Sequence, residues 1–125
     1  MMQKSAIVLF AHGARDEDWA TPFRKIQSMV RSKKPGVLVE LAFLELMQPA
    51  LHEAVARLAA RGIKNISVVP LFMAQGAHLK EDLPLKLDEI RGQYPAVSFR
   101  ISPPIGEVHA ILAEIAEWIC NEHGC

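Results

Sequence analysis

The sequence predicts a single α/β domain, a parallel sheet flanked by helices over residues 1–125, and three observations carry that expectation. Short apolar runs rich in β-branched residues, among them Ala6 to Ala11 and Ile66 to Phe72, are bounded by glycine and polar residues. Runs of this kind read as strands covered on both faces. Between them, apolar residues recur at helical spacing, so strand and helix alternate as in βαβ units with right-handed crossovers. A chain of 125 residues is one domain's worth, able to bury about two-thirds of its unfolded surface.

The elements follow in order. After the first strand, Trp19, Phe23, Ile26 and Val30 share one helical face. Thr21-Pro22 reads as an N-cap followed by proline in the first helical position, and Lys33-Lys34-Pro35-Gly36 stops the helix. Val37 to Leu46 is the second strand. Pro49 opens a second helix with a stripe of Leu51, Val55, Leu58 and Ala59, closed by Gly62. Asn65 to Phe72 is the third strand. A third helix carries Leu83, Leu87 and Ile90, begins near Asp82 and Pro84, and ends before Pro95. Val97 to Ile101 is a shorter fourth strand, and Val108, Ile111, Leu112, Ile115 and Ile119 define a closing helix.

Half of the residues are apolar and 22% are charged, with fourteen basic residues against fourteen acidic. Nothing in that balance points to nucleic acid or a membrane surface. No apolar run approaches the roughly 20 residues that span a bilayer, and no small-residue cleavage site follows Lys4. The expectation is a cytoplasmic chain whose two cysteines, Cys120 and Cys125, are reduced thiols.

Two histidines stand out. His12 follows the first strand directly, and His78 follows the third through Met73-Ala74-Gln75-Gly76-Ala77. Ligands of open parallel sheets bind beyond the carboxyl ends of the strands, so both imidazoles should reach one crevice. Imidazole there can hold a transition metal or take a proton near neutral pH. Glu45, ending the second strand, should emerge at the same edge and complete a site for a divalent first-row metal with open positions. Taken singly, each histidine could equally satisfy a loop carbonyl, and Glu45 could be a solvated charge. Arg15 and Lys80 lie beside the histidines and could meet an anionic ligand. His52, His109 and His123 read as surface residues, and Cys120, His123 and Cys125 match no standard zinc spacing. The chain has no phosphate-binding G-x-x-x-x-G-K-[ST] or G-x-G-x-x-G loop and no G-x-S-x-G elbow.

The blocks His12-Gly13-Ala14-Arg15-Asp16, Ala42-Phe43-Leu44-Glu45 with Pro49, and Val69-Pro70-Leu71-Phe72 through Gly76-Ala77-His78 to Asp82-Leu83-Pro84 together resemble the short-form CbiX family. These are class II chelatases, the sirohydrochlorin cobaltochelatases of anaerobic-type cobalamin biosynthesis. The family usually has serine where Ala14 stands. The resemblance implies a flavodoxin-like or chelatase-like half-domain that works as a homodimer. It implies insertion of Co2+, as substrate metal, into the tetrapyrrole sirohydrochlorin with no organic cofactor. It also implies that His12 is proton acceptor and metal ligand, His78 the second ligand and Glu45 a third. The segment Met73, Ala74, Gln75, Gly76, Ala77 and His78 would line the macrocycle, with Glu45 also in contact with it.

Three alternatives stay open. A ferrochelatase making sirohaem would use the same ligands, since imidazole and carboxylate suit Fe2+, Co2+ and Ni2+ alike. A non-catalytic module could bind a metal or tetrapyrrole for delivery or sensing. A structural α/β domain would leave the histidines incidental.

Overall fold

The structure, a computed structural model, describes residues 4–125 apart from the side chain of His78. Four strands, β1 (Ser5–Ala11), β2 (Leu38–Phe43), β3 (Asn65–Pro70) and β4 (Ser98–Ile101), form one sheet in the order β2-β1-β3-β4. Every pairing is parallel. The helices are α1 (Thr21–Lys33), α2 (Leu51–Ala60), α3 (Ala77–Gln93) and α4 (His109–His123). The strand order reverses between β1 and β3, which makes the carboxyl ends of those two strands the switch point where such sheets bind ligands.

Strand alternation divides the core into two layers. Ala6, Val8 and Phe10 of β1 join Ile66 and Val68 of β3 against Ala54, Val55 and Leu58 of α2 and Leu83, Leu87 and Ile90 of α3. On the opposite face, Leu9 and Ala11 join Val39, Leu41 and Phe43 of β2 under Phe23 and Val30 of α1. Successive residues of β1 therefore serve different faces, and the run has to be apolar throughout. Gln27 and Arg31 of α1 donate side-chain hydrogen bonds to the Val39 carbonyl, which ties the helix to the β2 side of the sheet.

Four sequence expectations are corrected. Thr21 is not a cap: α1 follows a 3-10 turn, Glu17–Ala20, and Ala20 stands at the N-cap. Asp16 caps that turn instead, its carboxylate accepting from the Asp18 N–H at 2.9 Å. The second strand ends at Phe43 rather than Leu46, because the chain folds back and the Phe43 N–H donates to the Pro49 carbonyl. The third helix begins at Ala77, not near Asp82, and carries Pro84 inside it. Proline costs a helix one hydrogen bond and crowds the carbonyl four residues back, which is why it read as a start. The connection before α3 is thus six residues, 71–76, of ordinary length for this fold. Finally, Cys120 and Cys125 are joined in a disulfide rather than held as free thiols.

Gly62, at φ +82°, follows the end of α2 as expected of a helix stop. Among the described residues no helix is long and apolar enough to cross a membrane.

Leu58 is 1% exposed at the centre of the α2 contact. Leu58→Ala should cost about 2–5 kcal/mol in urea denaturation, whereas the same truncation at exposed Leu85 should cost far less.

Candidate metal and ligand site

Above the sheet edge, the β1–β2 pairing continues one step past each strand. The Leu44 N–H donates to the Ala11 carbonyl at 2.9 Å, and the Glu45 N–H donates to the His12 carbonyl at 3.1 Å. This places Glu45 beside His12, and the His12 Nε2 lies 3.2 Å from the Glu45 Oε1. Gly13 makes the approach possible. Its φ is +96°, and a Cβ there would collide with the Glu45 carbonyl. Leu46, at φ 67°, turns the chain away immediately afterwards.

The imidazole is also held from below. Its ring meets Phe72 edge to face at 6.3 Å between centroids, and Phe72 meets Phe10 the same way at 5.6 Å. Phe10 and Phe72 are buried, so the column anchors His12 to the core. His12 and Glu45 are themselves about half exposed, at 52% and 55%. A pair that open adds only ~0–1 kcal/mol to stability. Its value lies in orientation. In the free site Nε2–H can donate to the carboxylate, and with that proton gone the same 3.2 Å spacing suits Nε2 and Oε1 as adjacent ligands of one metal.

The pair opens onto a cleft of about 320 Å³ lined by His12, Leu44, Glu45, Ala74, Gly76, Leu79, Asp82, Leu83 and Lys86. An adjoining cleft of about 440 Å³ shares Leu44 and Lys86 and is lined further by His52, Glu89 and Gln93. His78 stands in the first turn of α3, between Gly76 and Leu79 of the cleft wall. Its side chain lies outside the described residues, so only its backbone position is placed. Among the described residues, no group of three or more His, Cys, Asp or Glu side chains is gathered for a metal.

Of the expected macrocycle-lining segment, Ala74 and Gly76 line the His12 cleft, whereas Gln75 lines a separate one with Pro70 and Arg91. Met73 is exposed, and its carbonyl packs so closely on Gly106 that any Cβ there would collide with it. Ala77 begins the helix. His52, His109 and His123 are exposed, as expected. Asp82 and Lys86 were missed as site residues. Positions 78, 82 and 86 recur every four residues and fall along one helix face, a signal hidden by starting the helix at Asp82.

Fold and site together define a doubly wound α/β protein with a solvent-open imidazole–carboxylate pair at the switch point of its sheet. Residues 6–121 match the family model described as CbiX, and the chain belongs to the CbiX family. It is 38% identical over 109 residues to a sirohydrochlorin cobaltochelatase of Sulfurisphaera tokodaii, covering 87% of this chain and 85% of that one. The crystal structure of a CbiX protein of Marinobacter aquaeolei VT8 superposes with a TM-score of 0.82 at 29% identity, over 96% of this chain and 98% of that one. The sirohydrochlorin chelatase SirB of Bacillus subtilis subspecies spizizenii, in complex with cobalt, matches at a TM-score of 0.72 and 26% identity. That match covers 82% of this chain but only 44% of SirB.

Gly13→Ala should destabilise the fold by about 1–3 kcal/mol, because both its backbone region and the Glu45 carbonyl oppose a methyl group. Gly36→Ala, where a Cβ meets nothing within 4 Å, should be near neutral in the same denaturation experiment.

Proposed function

We propose that this chain is a sirohydrochlorin cobaltochelatase, inserting divalent cobalt into the tetrapyrrole with release of two pyrrole protons. The observation that carries the reading is the His12–Glu45 pair, 3.2 Å apart and open to a cleft at the switch point, in a member of the CbiX family.

The chemistry asks for a site that holds a hydrated metal ion, strips it of water and then lets it go. Imidazole and carboxylate ligands with open coordination positions can do this, where a set of thiolates would bind too tightly. His12 and Glu45 supply one nitrogen and one oxygen, and His78 supplies the second imidazole from the first turn of α3. As the metal passes to the ring nitrogens, the lone pair that held it on His12 becomes free. The same atom is then a base that takes the two pyrrole protons in turn, passing each to water before the next. Ala74 and Gly76 give the macrocycle a low wall on the α3 side, and Lys86 offers a cation to a peripheral carboxylate of the ring.

A homodimer belongs to this reading. One sheet edge offers a single wall, whereas small-ligand sites commonly bury about 70–90% of the ligand. Correspondence to 44% of SirB is what one half of a two-lobed enclosure would give.

Insertion into sirohydrochlorin should run above the uncatalysed background, fastest with Co2+ when Fe2+ and Ni2+ are compared under anaerobic conditions. No acceleration with any of the three metals would make the chain a binding module instead. His12→Ala and His78→Ala should each lower the insertion rate about 10²–10⁴-fold without loss of fold, and His123→Ala should stay near wild type. Near-normal insertion by either of the first two variants would contradict the assigned roles.

A further inference from the structure

Gly106 stands where its own backbone asks for no glycine. The glycines with positive φ are Gly13, Gly62 and Gly124, and the dihedrals of Gly106 would accept an L side chain. What excludes one is a neighbour. A Cβ on Gly106 would collide with three backbone atoms of Met73, the O, the C and the Cα. Backbone cannot swing aside as the end of a side chain can, so the glycine is there for the segment it touches.

That segment is 71–76, which joins β3 to α3 and carries Ala74 and Gly76 of the His12 cleft. It is sparsely held. The Leu71 N–H donates to the Phe10 carbonyl at 2.8 Å, and the Gly106 N–H donates to the Phe72 carbonyl at 3.0 Å. Among the described residues, no backbone hydrogen bond then holds Met73, Ala74 or Gln75. The next is at Gly76, whose carbonyl accepts from the Lys80 N–H of α3.

The other side of the contact is firm. The Ser102 N–H donates to the Val68 carbonyl at 3.0 Å, prolonging the β3–β4 pairing past Val68 and Ile101. Pro103 and Pro104 lead from there into a 3-10 turn, Ile105–Glu107. The Glu107 N–H donates to the Pro104 carbonyl at 2.9 Å, and the Val108 N–H to the Ile105 carbonyl at 3.1 Å. Gly106 is thus fixed to the sheet, and two prolines leave its approach few conformations.

We infer that Gly106 is a positioning residue for the site, setting the height of the β3–α3 segment against the His12–Glu45 pair. It acts at two points. Through the Phe72 carbonyl it fixes the residue whose buried ring meets the His12 imidazole edge to face. Through Met73 it fixes the wall formed by Ala74 and Gly76 and the point where α3 begins. Gly13 has the matching place across the cleft, where its missing Cβ admits the Glu45 carbonyl. A Cβ needs at least 3.0 Å from such atoms, so a methyl group at position 106 would push Met73 back by about 1 Å or more. Misplacement on that scale costs about 10²-fold in rate where reacting groups are aligned. The kinetic consequence rests on the chelatase reading above, and the geometric one does not.

The test compares Gly106→Ala with Leu58→Ala, which removes core packing from α2, and with Gly92→Ala, where a Cβ meets nothing within 4 Å. At a temperature where all are folded, Gly106→Ala should lower kcat/KM for sirohydrochlorin about 10²-fold, with kcat falling and KM rising. Leu58→Ala and Gly92→Ala should keep the KM of the unsubstituted protein. In NMR spectra, the carbon-bound ring protons of His12 should shift in Gly106→Ala, because the Phe72 ring beside them has moved. They should stay in place in the two controls. In the unsubstituted protein the Gly106 amide should exchange as slowly as the amides of β3, a readout that needs no variant to fold. Unchanged kinetics and His12 resonances in Gly106→Ala would overturn the positioning role, as would a fall in kcat alone, in step with the folded fraction. Rapid exchange of the Gly106 amide would overturn it too. Shifted His12 resonances in a protein without insertion activity would uphold the positioning and count against the chelatase reading alone.

Discussion

The two backbone hydrogen bonds that prolong the β1–β2 pairing, Leu44 to Ala11 and Glu45 to His12, are what the site depends on. They fix two segments that are far apart in sequence, and they do so beyond the last residue pair of the sheet, Ala11 with Phe43. The closeness they impose is tolerable only because position 13 has no Cβ. Given that contact, the His12–Glu45 pair needs no further ion pairs to assemble it. The stacked rings of Phe72 and Phe10 then connect the imidazole to the buried layer beneath. A half-exposed pair is rigid in this case because its backbone is rigid, not because its charges are buried.

The same arrangement suits the metal exchange proposed for the site. As proposed ligands, two solvent-open donors at a sheet edge would hold a metal with positions left over, and among the described residues no third His, Cys, Asp or Glu side chain joins them. Enclosure has to come from elsewhere. In the homodimer proposed above, a second copy would provide it.

Much of this was legible in the sequence, for physical reasons that differ by element. Strands covered on both faces must be apolar without interruption, so β1 and β3 declared themselves, and with them the edge on which His12 sits. Glu45 was placed beside His12 correctly, although as the end of a strand rather than as part of the bend beyond it. What failed was local. Pro84 hid the true start of α3, because the sequence does not show that a helix already running will carry a proline. That error also hid Asp82 and Lys86 in the cleft wall. The stripe on α4 was read from its spacing as a closing helix, and none of that helix is buried. Periodicity establishes that such a face needs a partner, but it is silent on whether the partner belongs to the same chain.

The claim at the centre of this account is that the His12–Glu45 pair receives the metal. Initial rates of insertion into sirohydrochlorin, measured against Co2+ concentration for the unsubstituted protein and Glu45→Gln, test it most directly. The account predicts that the KM for cobalt rises about ten- to hundredfold, with a smaller change in kcat, because the amide keeps the shape but loses the anionic ligand. Superimposable saturation curves for the two proteins would contradict it.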